Sequence, residues 1–331
     1  MEKRRLGANG PEVSELGLGC LGMSDNYGPA DEAESVATIH AALDAGVTLL
    51  DTGDVYGMGH NELLIHEALR DRNRDDVRIS VKFGGLRRPD GHWSGFDCRP
   101  EAAWNFLSYT LKRLRTDYVD VYRPARVDPN VPIEETVGAL SEMVQAGYVR
   151  HIGLSEVGVE TLRRAHAVHP VADLQIEYSL ISRGIEDAIL PTCRELGVGI
   201  TAYGVLSRGL LSGHWTPKRQ TTDRDFRTRA PRFQGENLTR NLELVEKLRA
   251  LADERGATVA QVAIAWVAAQ GRDIVPVVGA RTRDQLAESL AAADLKFSPG
   301  DLTALESTVP AEAVAGTRYA EWQMAYLDSE R

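Results

Sequence analysis

The chain has 331 residues, 43% of them hydrophobic, which is enough to bury the core of one large domain or two ordinary ones. Its formal net charge is −10, and it has no dense cluster of lysines and arginines, which argues against a nucleic-acid-binding protein. No apolar run approaches the roughly 20 residues of a membrane-spanning helix, and the N-terminus lacks the apolar segment of a signal peptide.

The three cysteines give a second set of exclusions. Cys20, Cys98 and Cys193 are far apart, and none has a cysteine or histidine at metal-ligand spacing. This odd and sparse count argues against a disulfide framework and suits a reducing compartment. The composition therefore predicts a soluble cytoplasmic protein that carries no metal site.

Short apolar runs alternate with amphipathic segments along most of the chain. One such segment has apolar residues at helical spacing from Ile133 to Val144, between Pro132 and Gly147. The runs typical of buried strands are 14–20, 47–51, 77–83, 117–123, 151–155, 172–178, 197–203 and 273–279. Strands in this number, each followed by a helix, predict an α/β protein with a parallel (β/α)₈ TIM barrel, which forms a single domain over residues 1–331.

Two further segments stand outside this alternation. The opening KRRLGANGPEVS has a turn signal between two short strand-like pieces and predicts an N-terminal β-hairpin. The longest interruption is 205–239, which is rich in arginine and polar residues. Loops of this length in a compact domain are usually functional.

The segment GLGCLG, Gly17 to Gly22, has the G-x-G-x-x-G spacing of a dinucleotide-binding fold. That fold needs a helix to begin at the third glycine, with its N-terminus facing the pyrophosphate. Here MSDNYGPAD follows Gly22, and the first helix is expected only near Asp31. We therefore favour another role, in which the glycines let the backbone approach another group closely at the mouth of the barrel.

Three polar residues are predicted at the C-terminal ends of two neighbouring strands, where (β/α)₈ barrels hold their active sites. Asp51 ends the second strand, Lys82 lies near the end of the third, and Tyr56 lies on the loop above them. Each alone has an ordinary explanation, since an aspartate before a turn is often a cap and a lysine there is often solvated. Together they predict a proton donor, because an ammonium lowers the pKa of a tyrosine and a carboxylate holds the ammonium in place.

Several segments resemble the aldo-keto reductase family, in that family's own order and over nearly the whole chain. They are DTGDVYGMGHNE, SVKFG, DYVDVYRPARVDPNVPIEETVGAL, IGLSEVGVETLRRAH, LQIEYSL, TAYGVLSRGLLSG and VPVVGARTRDQLAESL. The resemblance implies NADPH-dependent reduction of an aldehyde or ketone by hydride transfer. It places Asp51, Tyr56 and Lys82 on three of the family's four catalytic positions.

The resemblance also implies an NADPH site. Ser155 and Gln175 fall where side chains hold the nicotinamide carboxamide, and Tyr203 falls on the aromatic residue that stacks against the nicotinamide ring. The other implied positions are Gly204, Leu206, Arg208 and Leu211 around the pyrophosphate, and Gly279, Arg281, Gln285, Glu288 and Ser289 at the adenosine end. We expect Arg281 to contact the 2′-phosphate, which NADH lacks, and the loop 205–239 to close over the bound cofactor.

The sequence departs from the family pattern at several positions. The family usually has a histidine at the end of the fourth strand, often within YQHRVD, and here YRPARVD places Ala125 there. Glu156 and Ser289 stand where asparagines are common, and YGVL replaces YSPL at 203–206. That histidine orients the substrate carbonyl and assists proton transfer, and an alanine can do neither.

Four residues are candidates to substitute for the histidine: His60, His92, Arg123 and Arg126. His60 is expected to open the next helix, and His92 to lie in an exposed loop. Arg123 and Arg126 flank Ala125, and alternation along the strand would direct Arg123 to the same face as Ala125.

The sequence thus predicts an NADPH-dependent carbonyl reductase that acts on a small-molecule aldehyde or ketone, pyridoxal being one compound to test. Tyr27, Trp93 and Trp215 are candidates to line the substrate pocket, although each could equally pack under a loop. One alternative stays open, a regulatory or sensor subunit that binds NADPH with little turnover, which suits Ala125. A metal-dependent barrel hydrolase is disfavoured, because it would need a paired-histidine motif such as H-x-H at a strand end and the chain lacks one.

Overall fold

The structure is a computed structural model that describes residues 1–24, 26–219, 221–222 and 225–331. Its strands, in chain order, are β1 (Lys3–Arg5), β2 (Glu12–Ser14), β3 (Gly17–Gly19), β4 (Leu49–Gly53), β5 (Arg78–Phe83), β6 (Gly85–Arg87), β7 (Trp93–Phe96), β8 (Val119–Pro124), β9 (Val149–Ser155), β10 (Val171–Glu177), β11 (Gly199–Tyr203) and β12 (Ile274–Gly279). Its α-helices are α1 (Glu32–Asp44), α2 (His60–Leu69), α3 (Pro100–Leu114), α4 (Ile133–Gln145), α5 (Val159–Val168), α6 (Ile189–Leu196), α7 (Gly235–Asp253), α8 (Val259–Ala269), α9 (Arg283–Leu290), α10 (Pro299–Thr308) and α11 (Glu321–Met324).

Eight parallel strands form the wall of a closed barrel. Their order is β3, β4, β5, β8, β9, β10, β11 and β12, and β12 pairs with β3 to complete the circle. Each of them overlaps one of the predicted apolar runs, so the predicted (β/α)₈ fold is confirmed. The runs are apolar because both faces of these strands are covered, and every residue of β4 and of β10 is buried.

The predicted N-terminal hairpin is also confirmed. Strands β1 and β2 pair antiparallel, with Arg4 opposite Val13. Leu6 and Val13 pack with three apolar side chains of the barrel strands, Leu49, Val275 and Val277. Leu49 opens β4 and Val275 lies near the start of β12, so the hairpin covers the N-terminal end of the barrel and leaves the C-terminal end, the mouth, for a site.

The local predictions around the first glycine-rich segment hold. Gly22 lies in a short 3₁₀ turn, Leu21–Met23, and the first helix begins after Asp31, whose side chain accepts a hydrogen bond from the backbone of Glu34 at 2.7 Å. A Cβ atom on Gly22 would lie 3.3 Å from Cγ of Arg281, so this glycine does permit a close approach. Helix α4 begins after Pro132, as predicted.

The loop 205–239 is shorter than predicted, because α7 begins at Gly235. Three 3₁₀ turns lie within its described part, at Ser207–Ser212, Phe226–Arg229 and Pro231–Phe233. Residues 220, 223 and 224 of this range lie outside the described residues.

Within the described ranges, every helix is too short or too polar to cross a membrane. In the same ranges, no three His, Cys, Asp or Glu side chains are grouped so that they could hold a metal ion. Cys20, Cys98 and Cys193 are free thiols and all three are buried.

Candidate active site

Lys82 and Asp51 form a buried ion pair at the mouth of the barrel. Strands β4 and β5 are neighbours, and Nζ of Lys82 lies 2.6 Å from Oδ2 of Asp51. The Gln175 amide, on β10, joins the pair: its Oε1 accepts from Nζ of Lys82 at 2.8 Å and its Nε2 donates to Oδ1 of Asp51 at 2.8 Å. The structure therefore brings these three predicted residues together, with Gln175 bound to the other two.

Tyr56 lies in the turn that follows β4, as predicted. The turn has positive φ angles at Gly57 (57°) and Met58 (55°), which reverse the chain and return the tyrosine ring toward the strand end. Nζ of Lys82 lies 5.3 Å from the centroid of the Tyr56 ring, a cation–π distance. A Cβ atom on Gly53 would lie 3.3 Å from the ring, so that glycine makes room for it.

The net shift in the pKa of Tyr56 is upward, so any lowering by Lys82 is outweighed by other causes. Burial and then the charge of Asp51 raise the pKa of Tyr56 well above its usual range, and Arg126 only partly opposes them. Burial also lowers the pKa of Lys82, although Asp51 counteracts this. Burial is the largest cause because it removes the water that would stabilise a phenolate, and the Asp51 carboxylate disfavours a second negative charge beside it.

A second buried ion pair, which the sequence did not reveal, lies inside the barrel. Nη1 of Arg123 donates to Oδ2 of Asp173 at 2.9 Å, and both side chains are fully buried. Ser80 connects the two pairs, because its hydroxyl accepts from Nη2 of Arg123 at 2.8 Å and donates to Oδ1 of Asp51 at 3.1 Å. Arg123 thus points inward, and it is committed to Asp173 and Ser80.

Ala125 directly follows β8, the fourth barrel strand, at the position where the family resemblance implies a histidine. The backbone nitrogen of Ala125 donates to the carbonyl of Phe83 at 2.8 Å, which continues the pairing of β8 with β5. His60 begins α2 with Nδ1 2.9 Å from Oγ of Ser24, and the His92 side chain is 80% exposed. Both histidines therefore lie where the sequence predicted, His60 at the start of α2 and His92 in an exposed loop.

Glu156, directly after β9, is the centre of a buried polar network. It has a φ of 54°, a left-handed conformation that is unusual for a residue other than glycine. Its Oε1 accepts from the Tyr203 hydroxyl at 2.6 Å, and both carboxylate oxygens accept from Arg318, at 2.7 and 2.5 Å. Burial raises the pKa of Glu156, but Arg318 outweighs it and lowers the pKa to about 2. Tyr203 is thereby held by its hydroxyl in the site predicted for the nicotinamide.

The C-terminal segment, residues 314–331, folds over this part of the mouth. The Tyr319 hydroxyl lies 2.8 Å from the Tyr203 hydroxyl, and the Tyr319 ring lies 4.3 Å from the Arg208 guanidinium. Oγ of Ser329 donates to Glu156 at 2.6 Å. Sequence reasoning missed Arg318, Tyr319 and Ser329, because nothing in the spacing of residues 314–331 marks them as partners of a strand end.

The turn after β11 carries the residues predicted for the pyrophosphate. Gly204 and Arg208 have positive φ angles of 67° and 59°, and a Cβ on Gly204 would lie 3.0 Å from Cγ of Glu177. Nη2 of Arg208 donates to Oε2 of Glu177 at 2.9 Å, so the arginine lies at the mouth. Leu206 packs against the core and Leu211 is 1% exposed, so both side chains support the turn from below.

Arginines gather at the end of the site predicted for the adenosine. Nη1 of Arg281 donates to the carbonyls of Tyr27 and Pro29 at 3.1 and 3.2 Å, and Nη2 of Arg227 donates to the Tyr27 carbonyl at 3.3 Å. Arg219 lies near Arg281. Burial lowers the pKa of Arg281, and the charges of Arg227 and Arg219 lower it further. In the described part of the chain, Arg227 pairs with a carboxylate, and Arg219 and Arg281 do not. This donor set fits a phosphorylated nucleotide.

The remaining predicted residues of that end lie on or before α9. Oε1 of Gln285 accepts from the backbone nitrogen of Arg281 at 2.9 Å, and Glu288 is 3.2 Å from Nε2 of His214. Ser289 is buried, and Gly279 ends β12 with an exposed backbone. All of them therefore lie on the β12 side of the mouth.

Two of the three aromatic residues proposed to line the substrate pocket pack against other aromatic side chains. Trp215 is 8% exposed and packs edge to face on Phe233 at 4.7 Å, so it supports the 205–239 loop from beneath. Trp93 lies in the β6–β7 hairpin and packs on Phe96 at 4.9 Å. Two surface clefts of about 460 and 350 Å³ lie elsewhere on the molecule, and no predicted site residue lines either of them.

The closed barrel, with a buried Lys82–Asp51 ion pair at the mouth, has the architecture of (β/α)₈-barrel enzymes. Residues 15–310 match the Aldo/keto reductase family, and the chain belongs to that family. It is therefore an oxidoreductase of a family that uses nicotinamide cofactors on small carbonyl compounds.

Individual relatives agree with this assignment. The chain is 43% identical over 318 residues to a probable aldo-keto reductase 1 of Glycine max, covering 95% of this chain and 91% of the relative. Among solved structures, it resembles a glycerol dehydrogenase from Gluconobacter oxydans with a TM-score of 0.84 and 29% identity, over 92% of this chain and 94% of the other. It also resembles an aldo-keto reductase from Bacillus halodurans in its holo form, with a TM-score of 0.77 and 26% identity over 94% and 97% of the two chains.

Proposed function

We propose that the protein reduces an aldehyde or ketone to the alcohol, with NADPH as the hydride source and Tyr56 as the proton donor. The observation that carries this proposal is the buried Lys82–Asp51 pair, whose ammonium lies 5.3 Å from the centroid of the Tyr56 ring at the mouth of the barrel. A tyrosine with a raised pKa keeps its proton at neutral pH, which is the form that a proton donor needs.

The roles of the other two residues follow from their contacts. When the Tyr56 hydroxyl gives up its proton, the Lys82 ammonium stabilises the phenolate, and Asp51 holds that ammonium in place at 2.6 Å. Gln175 is bound to both in this structure, so it also fixes the pair. These bonds use one lone pair of Oε1 and one N–H of Nε2, so the amide keeps one of each for its predicted contact with a carboxamide.

The arginines at the mouth support NADPH over NADH. Arg281 and Arg219 lack a carboxylate partner among the described residues, and a 2′-phosphate would compensate their charge. The backbone of Phe226 donates to the carbonyl of Asn26 at 3.3 Å, which brings the loop 205–239 against the segment after β3 and supports its role in closing over the cofactor.

The nicotinamide end would be held by Ser155, Gln175 and Tyr203, the ends of three consecutive barrel strands. Gly204, Leu206, Arg208 and Leu211 would surround the pyrophosphate, and Gly279, Arg281, Gln285, Glu288 and Ser289 the adenosine. The three free and buried thiols support the predicted cytoplasmic location, because a reducing compartment keeps cysteines in that form.

The test is NADPH oxidation under single-turnover conditions with a panel of aldehydes that includes pyridoxal. We expect oxidation with several aldehydes, with the alcohol formed in equal amount. If NADPH binds tightly and none of the panel oxidises it, the alternative of a regulatory or sensor subunit replaces this proposal.

A further inference from the structure

Arg126 extends from the end of β8 across the mouth toward β9. Its Nη1 donates to the carbonyl of Ala125 at 2.6 Å and to Oγ of Ser155 at 3.3 Å, and its Nη2 donates to the Tyr319 hydroxyl at 3.4 Å. Ser155 is paired in register with Gln175, the amide that contacts Lys82 and Asp51. The guanidinium therefore faces the same mouth as the proposed acid–base residues.

The charge of Arg126 is not matched by a carboxylate in the described part of the chain. Three neighbouring arginines each pair with one: Arg123 with Asp173, Arg208 with Glu177, and Arg318 with Glu156. Arg126 instead contacts neutral oxygen atoms, and these contacts use three of the five N–H groups that an arginine has. It thus keeps both an uncompensated charge and free donors at a mostly buried position.

The charge is permanent in this setting. Burial lowers the pKa of Arg126, but Tyr203, Tyr319 and Glu156 together raise it further, so the pKa lies above its usual range. The same charge lowers the pKa of Tyr56 and that of Lys82, which places it within electrostatic reach of both. A cation that never releases its proton suits the stabilisation of a developing negative charge.

We propose that Arg126 donates a hydrogen bond to the reacting carbonyl oxygen and stabilises the negative charge that develops on it. This inference rests on the proposed reductase function and makes Arg126 a further catalytic residue. The carbonyl carbon accepts the hydride, the π-electron pair moves onto the oxygen, and that oxygen takes the proton of Tyr56. Arg126 keeps its own protons throughout and holds the oxygen by a charge-assisted hydrogen bond.

The test compares Arg126→Gln and Arg126→Lys with the wild type on benzaldehyde and on 4-carboxybenzaldehyde. Loss of one donor to a developing oxyanion costs about 10²–10³ in kcat. We expect a loss of that size for Arg126→Gln on both aldehydes, with the KM and the NADPH dissociation constant changing by less than a factor of about three. The lysine variant should recover part of the rate, because it keeps the charge and loses the planar pair of donors.

The control is Arg150→Gln, on the exposed start of β9, which should behave as the wild type does. A loss confined to 4-carboxybenzaldehyde, and expressed in KM, would make Arg126 a binder of anionic substrates and overturn the proposal. So would unchanged kcat in Arg126→Gln. If that variant misfolds, Arg126→Ala is measured with added guanidinium ion. We expect the ion to restore kcat, and a failure to restore it would contradict the proposed role of Arg126. Absence of turnover in the wild type would instead remove the proposed function itself.

Discussion

Arg318 and Glu156 are joined by two hydrogen bonds, from Nη1 to Oε1 at 2.7 Å and from Nη2 to Oε2 at 2.5 Å. Glu156 is fully buried and Arg318 is 9% exposed, so this pair attaches the C-terminal segment to the residue that follows Ser155. A forked contact between a guanidinium and a carboxylate is among the stronger hydrogen-bonded pairs in proteins. The position of Tyr319 over the mouth depends on it.

The first prediction concerns the stability that this pair provides. Because the pKa of Glu156 is lowered from 4.5 to about 2, its contribution is present above pH 4.5 and is lost as the pH falls toward 2. Glu156→Gln removes the buried carboxylate that holds Arg318 by two hydrogen bonds and leaves it only Glu330, at 2.7 Å, and Glu177, at 3.7 Å. We expect this to lower the free energy of unfolding at pH 7 by up to about 3 kcal/mol. Urea unfolding between pH 3 and pH 7 measures this, and the difference from the wild type should shrink at the acidic end.

The matched control for Glu156→Gln is Glu195→Gln. Glu195 pairs with Arg163 at 2.5 Å on the surface, where both side chains are largely exposed, and its loss should leave the free energy of unfolding nearly unchanged. Equal effects of the two substitutions would mean that the Arg318–Glu156 pair contributes no more than a surface pair.

The second prediction concerns Asp54, two residues before Tyr56. It is buried, its Oδ2 accepts from the backbone of Gly84 at 3.3 Å, and its Oδ1 has no partner among the described residues. Burial, and then the charge of Glu62, raise its pKa from 3.8 to about 7. Ionisation of Asp54 therefore opposes folding. The free energy of unfolding falls progressively as the pH rises from about 3.8 to about 7.

Asp54→Asn removes this titration while keeping the shape of the side chain. The variant should gain stability relative to the wild type as the pH rises from 4 to 7, and the gain should level off above pH 7. Thermal or urea unfolding at closely spaced pH values measures the difference. A difference that does not change with pH would show that Asp54 is ionised normally in the folded protein.

The third prediction concerns the choice of cofactor. Arg281→Ala removes a guanidinium that a 2′-phosphate would contact, so we expect the NADPH dissociation constant to rise about tenfold or more, each tenfold step being worth roughly 1.4 kcal/mol. NADH binding should barely move. Arg283→Ala is the control, since Arg283 is exposed and pairs with Glu34 at 2.9 Å. Equal weakening of both cofactors by Arg281→Ala would exclude it as the phosphate contact.

The fourth prediction concerns the proton donor. Tyr56→Phe keeps the ring that lies beside Lys82 and removes the hydroxyl, so the fold and NADPH binding should survive. Proton transfer by a positioned side chain contributes about 10²–10⁴ in rate, and we expect kcat to fall by that factor. Tyr109→Phe, at an exposed position of α3, should have no effect. Near-normal turnover of Tyr56→Phe would remove this residue from the mechanism.

The barrel could be predicted from the sequence because buried parallel strands are nearly continuous apolar runs, and the runs at 47–51 and 273–279 follow that rule. Strand order then brings Asp51 and Lys82 together at neighbouring strand ends. Arg123 and Asp173 were missed as partners because they lie 50 residues apart on strands that only the closed barrel brings together. Alternation along the strand provided one usable signal, since it directed Arg123 to the same face as Ala125, and Arg123 does point inward.

Other features depend on a whole network of contacts. The raised pKa of Tyr56 reflects burial and Asp51, and single-residue chemistry favoured the opposite direction. The attachment of Arg318 to Glu156 spans 162 residues and involves a segment with no periodic pattern. Spacing in the sequence carries no information about such a contact.

The last prediction concerns Ala125, which directly follows β8 beside Arg126 and whose side chain is smaller than a histidine by about an imidazole's volume. Ala125→His would place a hydrogen-bond donor there, and one donor to the developing alkoxide contributes up to a few kcal/mol. The donor proposed for Arg126 would replace part of that contribution in the wild type. We therefore expect kcat/KM for a small aldehyde to rise, and kcat/KM for a bulky aldehyde that fills the space to fall.

Ala125→Phe is the matched control, because it fills the space without adding a donor. It should lower activity on the bulky aldehyde and give no gain on the small one. Residues that share one task have non-additive effects, so Ala125→His should raise kcat more in the Arg126→Gln background than in the wild type. The measurement is kcat/KM for one small and one bulky aldehyde in all of these proteins. Unchanged values in both Ala125 variants would mean that position 125 does not face the substrate, since neither a donor nor added volume there would then reach it.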